Sequence, residues 1–212
     1  MKRQKIRRLT TAALCGAVAF VLKYISFSVP VISPFAEFDL SALPELIGGF
    51  ILGPAGAVAI VVVKIAMNLL FRGSNSMLTG EVQNLILSLA YVLPAVLYYR
   101  SHKTKKGAAI SLLLGSAVSI VIAVFTNIYL IFPAFMVLYG MDWDSIVQMC
   151  TVVNPWIKDV PTMIAFSILP FNILSRAITS IITLLVYKKI SVPIKKLINE
   201  HDDRRTTHDL QH

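Results

Sequence analysis

The stretch AAISLLLGSAVSIVIAVFTNIYLIFPAFMVL, residues Ala108 to Leu138, decides the fold class of this chain. It contains no Asp, Glu, Lys or Arg. A membrane helix needs roughly 20 mostly apolar residues to cross about 30 Å of hydrocarbon, so the stretch predicts a membrane span. The whole chain is 56% hydrophobic and 15% charged, whereas soluble domains are about 45–50% apolar and about 25% charged.

Further apolar stretches lie on both sides of this one. Four are long enough to be spans or nearly so, and a fifth, Leu43 to Leu52, is shorter and is separated from its neighbour by Gly53-Pro54. The four longer stretches are Leu9 to Val29, Ala55 to Phe71, Val82 to Tyr99 and Met163 to Tyr187. We therefore predict an all-α integral membrane protein with six transmembrane helices.

The basic residues of the chain are not spread evenly. They cluster before the first predicted span, in the loop after the fourth and after the sixth, which all lie on one side if six spans alternate. This is the positive-inside pattern, so both termini are predicted to be cytoplasmic. This distribution accounts for the net charge of +9 without requiring a nucleic-acid partner. We expect a transmembrane domain over residues 1–198 and a polar cytoplasmic tail over residues 199–212.

Catalytic motifs are missing from the sequence. It contains no G-x-x-x-x-G-K-[ST], H-E-x-x-H, C-x-x-C or G-x-S-x-G, and His102 is the one histidine that precedes the tail. We therefore expect no catalytic residues, no metal and no cofactor.

Polar side chains inside the predicted spans are the strongest indications of function, since ionisable groups are costly in a bilayer. Lys64 and Glu45 lie at similar predicted depth on antiparallel neighbouring spans, which suggests an ion pair. Such a pair could fix two helices or contact a ligand.

Amide and carboxylate side chains recur in the outer halves of four spans. Amides offer both donors and acceptors, so converging amides suit a neutral heteroaromatic ligand, although a single Asn more often bonds a neighbouring helix. The set comprises Asn68, Glu81, Asn84, Asn127 and Asn172.

Small residues form a stripe on the first predicted span. Ala13 and Ala17 lie four residues apart, so a second helix could approach closely there. The stripe could pack internally or could dock a partner subunit.

Two stretches carry a resemblance to a known family. EFDLSALPELIGGFILGPAGA, residues Glu37 to Ala57, with Lys64 and Asn68 after it, resembles the substrate-binding S components of energy-coupling factor (ECF) transporters, and most of all their riboflavin-specific members. LPFNILSR, residues Leu169 to Arg176, is similar to part of their last helix. The resemblance extends from about residue 5 to residue 196.

The resemblance implies the six-helix S-component fold in a bacterial cell membrane, with a high-affinity riboflavin pocket near the outer face. Asp39 and Leu40 match the end of the loop that covers this pocket, and Asn127 and Asn172 match amides that bind the flavin ring. Similar proteins can carry a lysine facing the ribityl chain where this sequence has Ser175.

The resemblance also implies partners. A membrane coupling subunit and two ATPase subunits would supply the energy, and the stripe at Ala13 and Ala17 looks like the family's coupling interface. The alternatives are an S component for another vitamin or precursor, a membrane enzyme acting on lipid, and an accessory membrane protein.

Overall fold

The computed structural model describes residues 2–29, 32, 37–74 and 76–187. Helices dominate these residues, and we number them in chain order. They are α1 (Lys2–Tyr24), α2 (Ala42–Leu52), α3 (Pro54–Phe71), α4 (Thr79–Ser101), α5 (Lys105–Tyr139), α6 (Trp143–Val153) and α7 (Val160–Tyr187). The predicted tail, residues 199–212, and the basic residues just before it lie outside the described part of the chain.

Four of these helices, α3, α4, α5 and α7, are long and apolar enough to cross a membrane. Each matches a predicted span to within a few residues, so the prediction of a multi-pass helical membrane protein is confirmed. Helix α2 is apolar but has only 11 residues, about 16 Å at 1.5 Å per residue. Helix α1 has 23 residues and begins within the basic N-terminal segment. A total of six spans stays a prediction.

Two features of the connections were not predicted. Phe27–Ser28 (β1) pairs antiparallel with Glu37–Phe38 (β2) in the segment between α1 and α2. Helix α6 occupies part of the segment after residue 138, where no helix was predicted from the sequence. Its N-cap Asp142 accepts a hydrogen bond from the backbone N–H of Ser145, as an N-cap residue does. This contact with Ser145 holds the pKa of the Asp142 carboxyl below its ordinary value.

The turn between α2 and α3 depends on local backbone chemistry. Gly53 has a φ of 83°, in the left-handed region that glycine enters without steric cost. Pro54 then starts α3, where its missing N–H is not needed. The turn folds α2 back against α3, and α2 also contacts α1 and α4.

Two clusters of buried side chains hold the helices together. The first lies between α2, α3, α4 and α5 and contains Leu46, Tyr91, Val92, Val96 and Leu112. The second joins α5, α6 and α7 and contains Phe132, Ile146, Cys150, Ile157 and Met163. Because both clusters include residues of α5, they link α2 to α7 into one helix bundle.

Helices α4 and α5 pack especially closely at Gly115. A Cβ atom added there would lie 2.3 Å from the backbone oxygen of Tyr91. We expect Gly115→Val to destabilise the protein by about 1–3 kcal/mol, the usual cost of overpacking. Thermal unfolding in detergent measures this effect. Leu114→Val, which places the same side chain at an exposed position of α5, is the control. Equal melting temperatures for the two variants would contradict the close α4–α5 contact.

Candidate ligand-binding site

A cavity of about 290 Å³ lies between the helices, near the lower end of the range of roughly 300–1,000 Å³ that is usual for small-molecule pockets. Residues of α3, α4, α5, α6 and α7 line it, together with Lys23 of α1 and the segment that leads from β2 into α2. Its walls mix amides, carboxylates, cations and aromatic rings.

Seven of the nine predicted ligand residues line this cavity. They are Asp39, Asn68, Glu81, Asn84, Asn127, Asn172 and Ser175. Leu40 and Lys64 are placed elsewhere, Leu40 half-buried just before α2 and Lys64 fully buried within α3. The structure therefore brings together side chains that are up to 136 positions apart in the chain, between Asp39 and Ser175.

The predicted Glu45–Lys64 pair is present. Lys64 Nζ lies 2.5 Å from Glu45 Oε1, and both side chains have no exposed surface. The same ammonium donates to Ser88 Oγ at 2.9 Å and to Ser41 Oγ at 3.3 Å. Ser41 and Ser88 line the cavity, so Lys64 contacts the cavity wall through these two side chains. Its contacts with Glu45 and Ser88 also link α3 to α2 and α4.

Asp39 is anchored where the chain enters α2. Its carboxylate lies 3.4 Å from Lys23 Nζ and accepts the backbone N–H of Ser41 at 2.8 Å. Burial alone would raise the pKa of Asp39, but Lys23, Lys64 and the bonds from Ser41 outweigh it and hold that pKa below its ordinary value. Asp39 is therefore an anion that fixes α1 against the start of α2.

A second polar group lies at the edge of the cavity formed by the ends of β2 and α3. The Arg72 guanidinium is 3.5 Å from the Glu37 carboxylate, and Ser26 donates to the same carboxylate at 2.7 Å. The side chains of Arg72 and Glu37 are 28% and 41% exposed, so solvent reaches this end. We call it the mouth. Arg72 and Glu37 were not predicted as site residues from the sequence, because a charge near a helix end is usually only solvated.

Glu81 is held close to the mouth by the turn between α3 and α4. Its carboxylate accepts hydrogen bonds from Ser74 at 2.8 Å and Ser76 at 3.2 Å. The turn contains Met77 and Leu78 with positive φ values of 46° and 71°. Such strained backbone costs energy and persists where surrounding contacts enforce it, often at functional sites.

Asn127 and Asn172 face the cavity from helices that each contain a widened π-helical turn. These turns cover Asn127–Ile131 in α5 and Ile164–Ile168 in α7, and π-turns occur frequently at functional sites. Each Asn donates its side-chain amide to a carbonyl one turn earlier, Asn127 to Ala123 at 2.7 Å and Asn172 to Ile168 at 2.9 Å. The amide oxygen and the second amide N–H of each Asn are thus left for a ligand.

Two further amides have buried oxygens without a partner. Asn68 Oδ1 and Asn84 Oδ1 make no hydrogen bond within the described residues. Buried polar atoms in proteins are nearly always hydrogen-bonded. Because both residues line the cavity, a polar ligand with hydrogen-bond donors would satisfy these atoms.

Aromatic rings and a thiol, which were not predicted from the sequence, complete the cavity wall. Phe132, Phe135, Phe171 and Cys150 line the cavity. Aromatic residues on apolar helices resemble ordinary core or lipid-facing residues in a sequence, so no sequence signal separates them. Together they give the cavity an apolar surface against which a flat ring can lie.

The described residues contain no group of three or more His, Cys, Asp and Glu side chains that could hold a metal ion. The polar groups in the cavity wall are amides, hydroxyls, paired charges and the guanidinium of Arg176. This donor set suits an organic ligand with both polar and aromatic parts.

The small-residue stripe of α1 is divided between two faces. Ala12 and Ala19 are buried, and a Cβ atom on Gly16 would lie 2.5 Å from a side-chain carbon of Val63 in α3. Ala13 is exposed and Ala17 is half-buried. The internally packed face and the predicted partner face are therefore adjacent, and each has its own small residues.

Comparisons with known proteins agree with this architecture. The family model "ECF transporter, substrate-specific component" matches residues 7–187. The riboflavin transporter RibU of Staphylococcus aureus (strain TCH60) is 26% identical over 197 residues, covering 93% of this chain and 97% of that protein. The riboflavin transporter FmnP of Bacillus subtilis (strain 168) is 26% identical over 200 residues, covering 93% and 98%.

A solved structure described as the S component of a bacterial ECF transporter superposes with a TM-score of 0.70 at 26% identity, over 90% of this chain and 99% of that one. The resemblance noted in the sequence is therefore confirmed. With the family model matching from residue 7 to the end of α7, this chain belongs to the substrate-specific components of ECF transporters, a family of membrane transport proteins and not of enzymes.

Proposed function

We propose that this protein is the riboflavin-binding S component of an ECF-type vitamin uptake transporter. The observation that carries the proposal is the cavity, where amides from α3, α4, α5 and α7 converge beside aromatic rings. A flavin ring has an apolar face and an edge that alternates donors and acceptors, which amides can match. The relatives named as riboflavin transporters support the same ligand.

Capture occurs at the outer membrane face in this proposal. Six spans would place both termini in the cytoplasm, on the side of the basic loops, and the mouth near Arg72 and Glu37 on the outside. Asp39, at the end of the segment between α1 and α2, would border the bound vitamin, and Leu40 would follow it outside the cavity wall. Lys64 would act indirectly, by holding Ser41 and Ser88 in the cavity wall.

Energy would come from partner subunits. The sequence has no phosphate-binding loop of its own, so we propose that a membrane coupling subunit and two ATPase subunits drive release of the vitamin. The exposed small residue Ala13 and its neighbour Ala17 are the proposed contact with the coupling subunit. Close packing of small residues is a common way for membrane helices to associate.

Asn127→Leu and Asn172→Leu should each weaken riboflavin binding by about 1–3 kcal/mol, the cost of leaving a buried ligand group without its partner. Titration of the purified protein, followed by quenching of flavin fluorescence, gives the affinities. Gln148→Leu removes an exposed amide on α6 that does not line the cavity and is the matched control. Wild-type affinity in both Asn variants would refute the amide pocket.

A further inference from the structure

Arg176 is a half-buried cation that lines the cavity, and the family comparison leaves its role in binding open. It is the last cavity-lining residue along α7, as Ser88 is along α4, and we call the end of the cavity that these two residues border the floor. The guanidinium carbon lies 4.8 Å from the centre of the Tyr91 ring. This distance is that of a recognised cation–π contact, and it places the guanidinium against α4.

The hydrogen-bonding capacity of Arg176 is unused within the described residues. Its Nε atom is buried without a partner, and no hydrogen bond or ion pair joins its side chain to another described residue. Asp39 and Glu45 influence it electrostatically, but each already faces a lysine, Lys23 or Lys64. An unpaired cation inside a membrane protein is costly and usually marks function.

The chemistry of the guanidinium limits what it can bind. Arginine offers five N–H donors and no acceptor, whereas an amide offers both. It therefore does not suit a ring edge that alternates donors and acceptors. It suits a group with several acceptor oxygens, such as a set of hydroxyls or a phosphate.

We propose that Arg176 is a specificity-determining residue that binds acceptor oxygens on the side chain of the flavin, as hydroxyls or as a phosphate. This inference rests on the proposed riboflavin function and adds the orientation of the bound vitamin in the cavity. The polar side chain of the vitamin extends toward the floor, and the ring lies among the amides and aromatic residues. Arg176 thereby distinguishes flavins with an oxygen-rich side chain from flavins without one.

The test compares three ligands on the purified protein: riboflavin, its phosphate ester FMN, and lumichrome, which keeps the ring carbonyls and lacks the side chain. Arg176→Gln and Arg176→Met should weaken riboflavin binding about 10- to 100-fold, the loss expected for a hydrogen bond to a charged group. Lumichrome affinity should not change, which also shows that the variants are folded. Arg176→Lys should recover part of the riboflavin affinity. Lys158→Gln, which removes an exposed cation in the segment between α6 and α7, is the control.

The outcomes separate the possibilities. A larger loss for FMN than for riboflavin would support the proposal and identify the phosphate as the bound group, and equal losses would support it through the hydroxyls. Unchanged riboflavin affinity in Arg176→Gln, or an equal loss for riboflavin and lumichrome, would overturn this inference and leave the riboflavin function standing. Failure of the wild-type protein to bind any of the three ligands would overturn both.

Discussion

Lys64→Met is expected to lower the free energy of unfolding by about 3–5 kcal/mol, because it leaves the Glu45 carboxylate buried without its counter-ion. The pair has no exposed surface and joins α2 to α3, while Ser88 adds α4 through the same ammonium. Unfolding by a denaturing detergent, followed by circular dichroism, measures the loss. Lys158→Met, at an exposed lysine outside these helices, is the control.

A double variant tests whether the pair is structural. In Glu45→Lys/Lys64→Glu the two charges exchange places, and we expect it to recover much of the stability that either single change loses. Replacement of both by apolar residues of similar volume is also often well tolerated in protein interiors. Wild-type stability in the single variant Lys64→Met would show that the pair contributes nothing to the packing of α2 against α3.

Ala13→Leu and Ala17→Leu are each expected to reduce riboflavin uptake to the level of cells that lack the protein. Riboflavin binding by each purified variant should stay intact. Ala13 is exposed on α1, so a larger side chain there blocks close approach of a partner helix without disturbing the contact between α1 and α3. Uptake in cells that contain a complete coupling module, measured beside binding in detergent, separates the two steps.

A matched control shows that the position matters and not the added bulk. Ala177→Leu makes the same change at an exposed alanine of α7 and should leave uptake unaffected. Loss of riboflavin binding in the Ala13 and Ala17 variants would mean that this face packs inside the protein. Normal uptake would place the coupling interface elsewhere.

The long spans could be predicted because each is set by a local property, a continuous apolar run of sufficient length. Helices α3, α4, α5 and α7 follow this rule. The pairing of Glu45 with Lys64 could also be predicted, because two buried charges at similar depth on neighbouring spans have few other partners. The contacts of Lys64 with Ser41 and Ser88 could not be predicted, because serine is common in membrane helices.

The composition of the cavity was predictable only in part. Polar residues inside apolar runs are conspicuous, so most of the amides and carboxylates of the wall were found. The π-turn that begins at Asn127 and the π-turn that precedes Asn172 in α7 cannot be recognised from the sequence. The positive φ of Leu78 cannot be recognised from it either. Arg176 has no ion pair among the described residues because Asp39 and Glu45 pair with lysines from other helices, and only the folded structure determines those pairings.

Binding of riboflavin by the purified protein tests the central claim most directly. Riboflavin is titrated into folded, ligand-free protein in detergent while flavin fluorescence is followed, with pantothenate and thiamine as competitors. The proposed function predicts tight, stoichiometric quenching that neither competitor reverses. Absence of quenching would contradict riboflavin as the ligand and would direct the search to other vitamins for this S component.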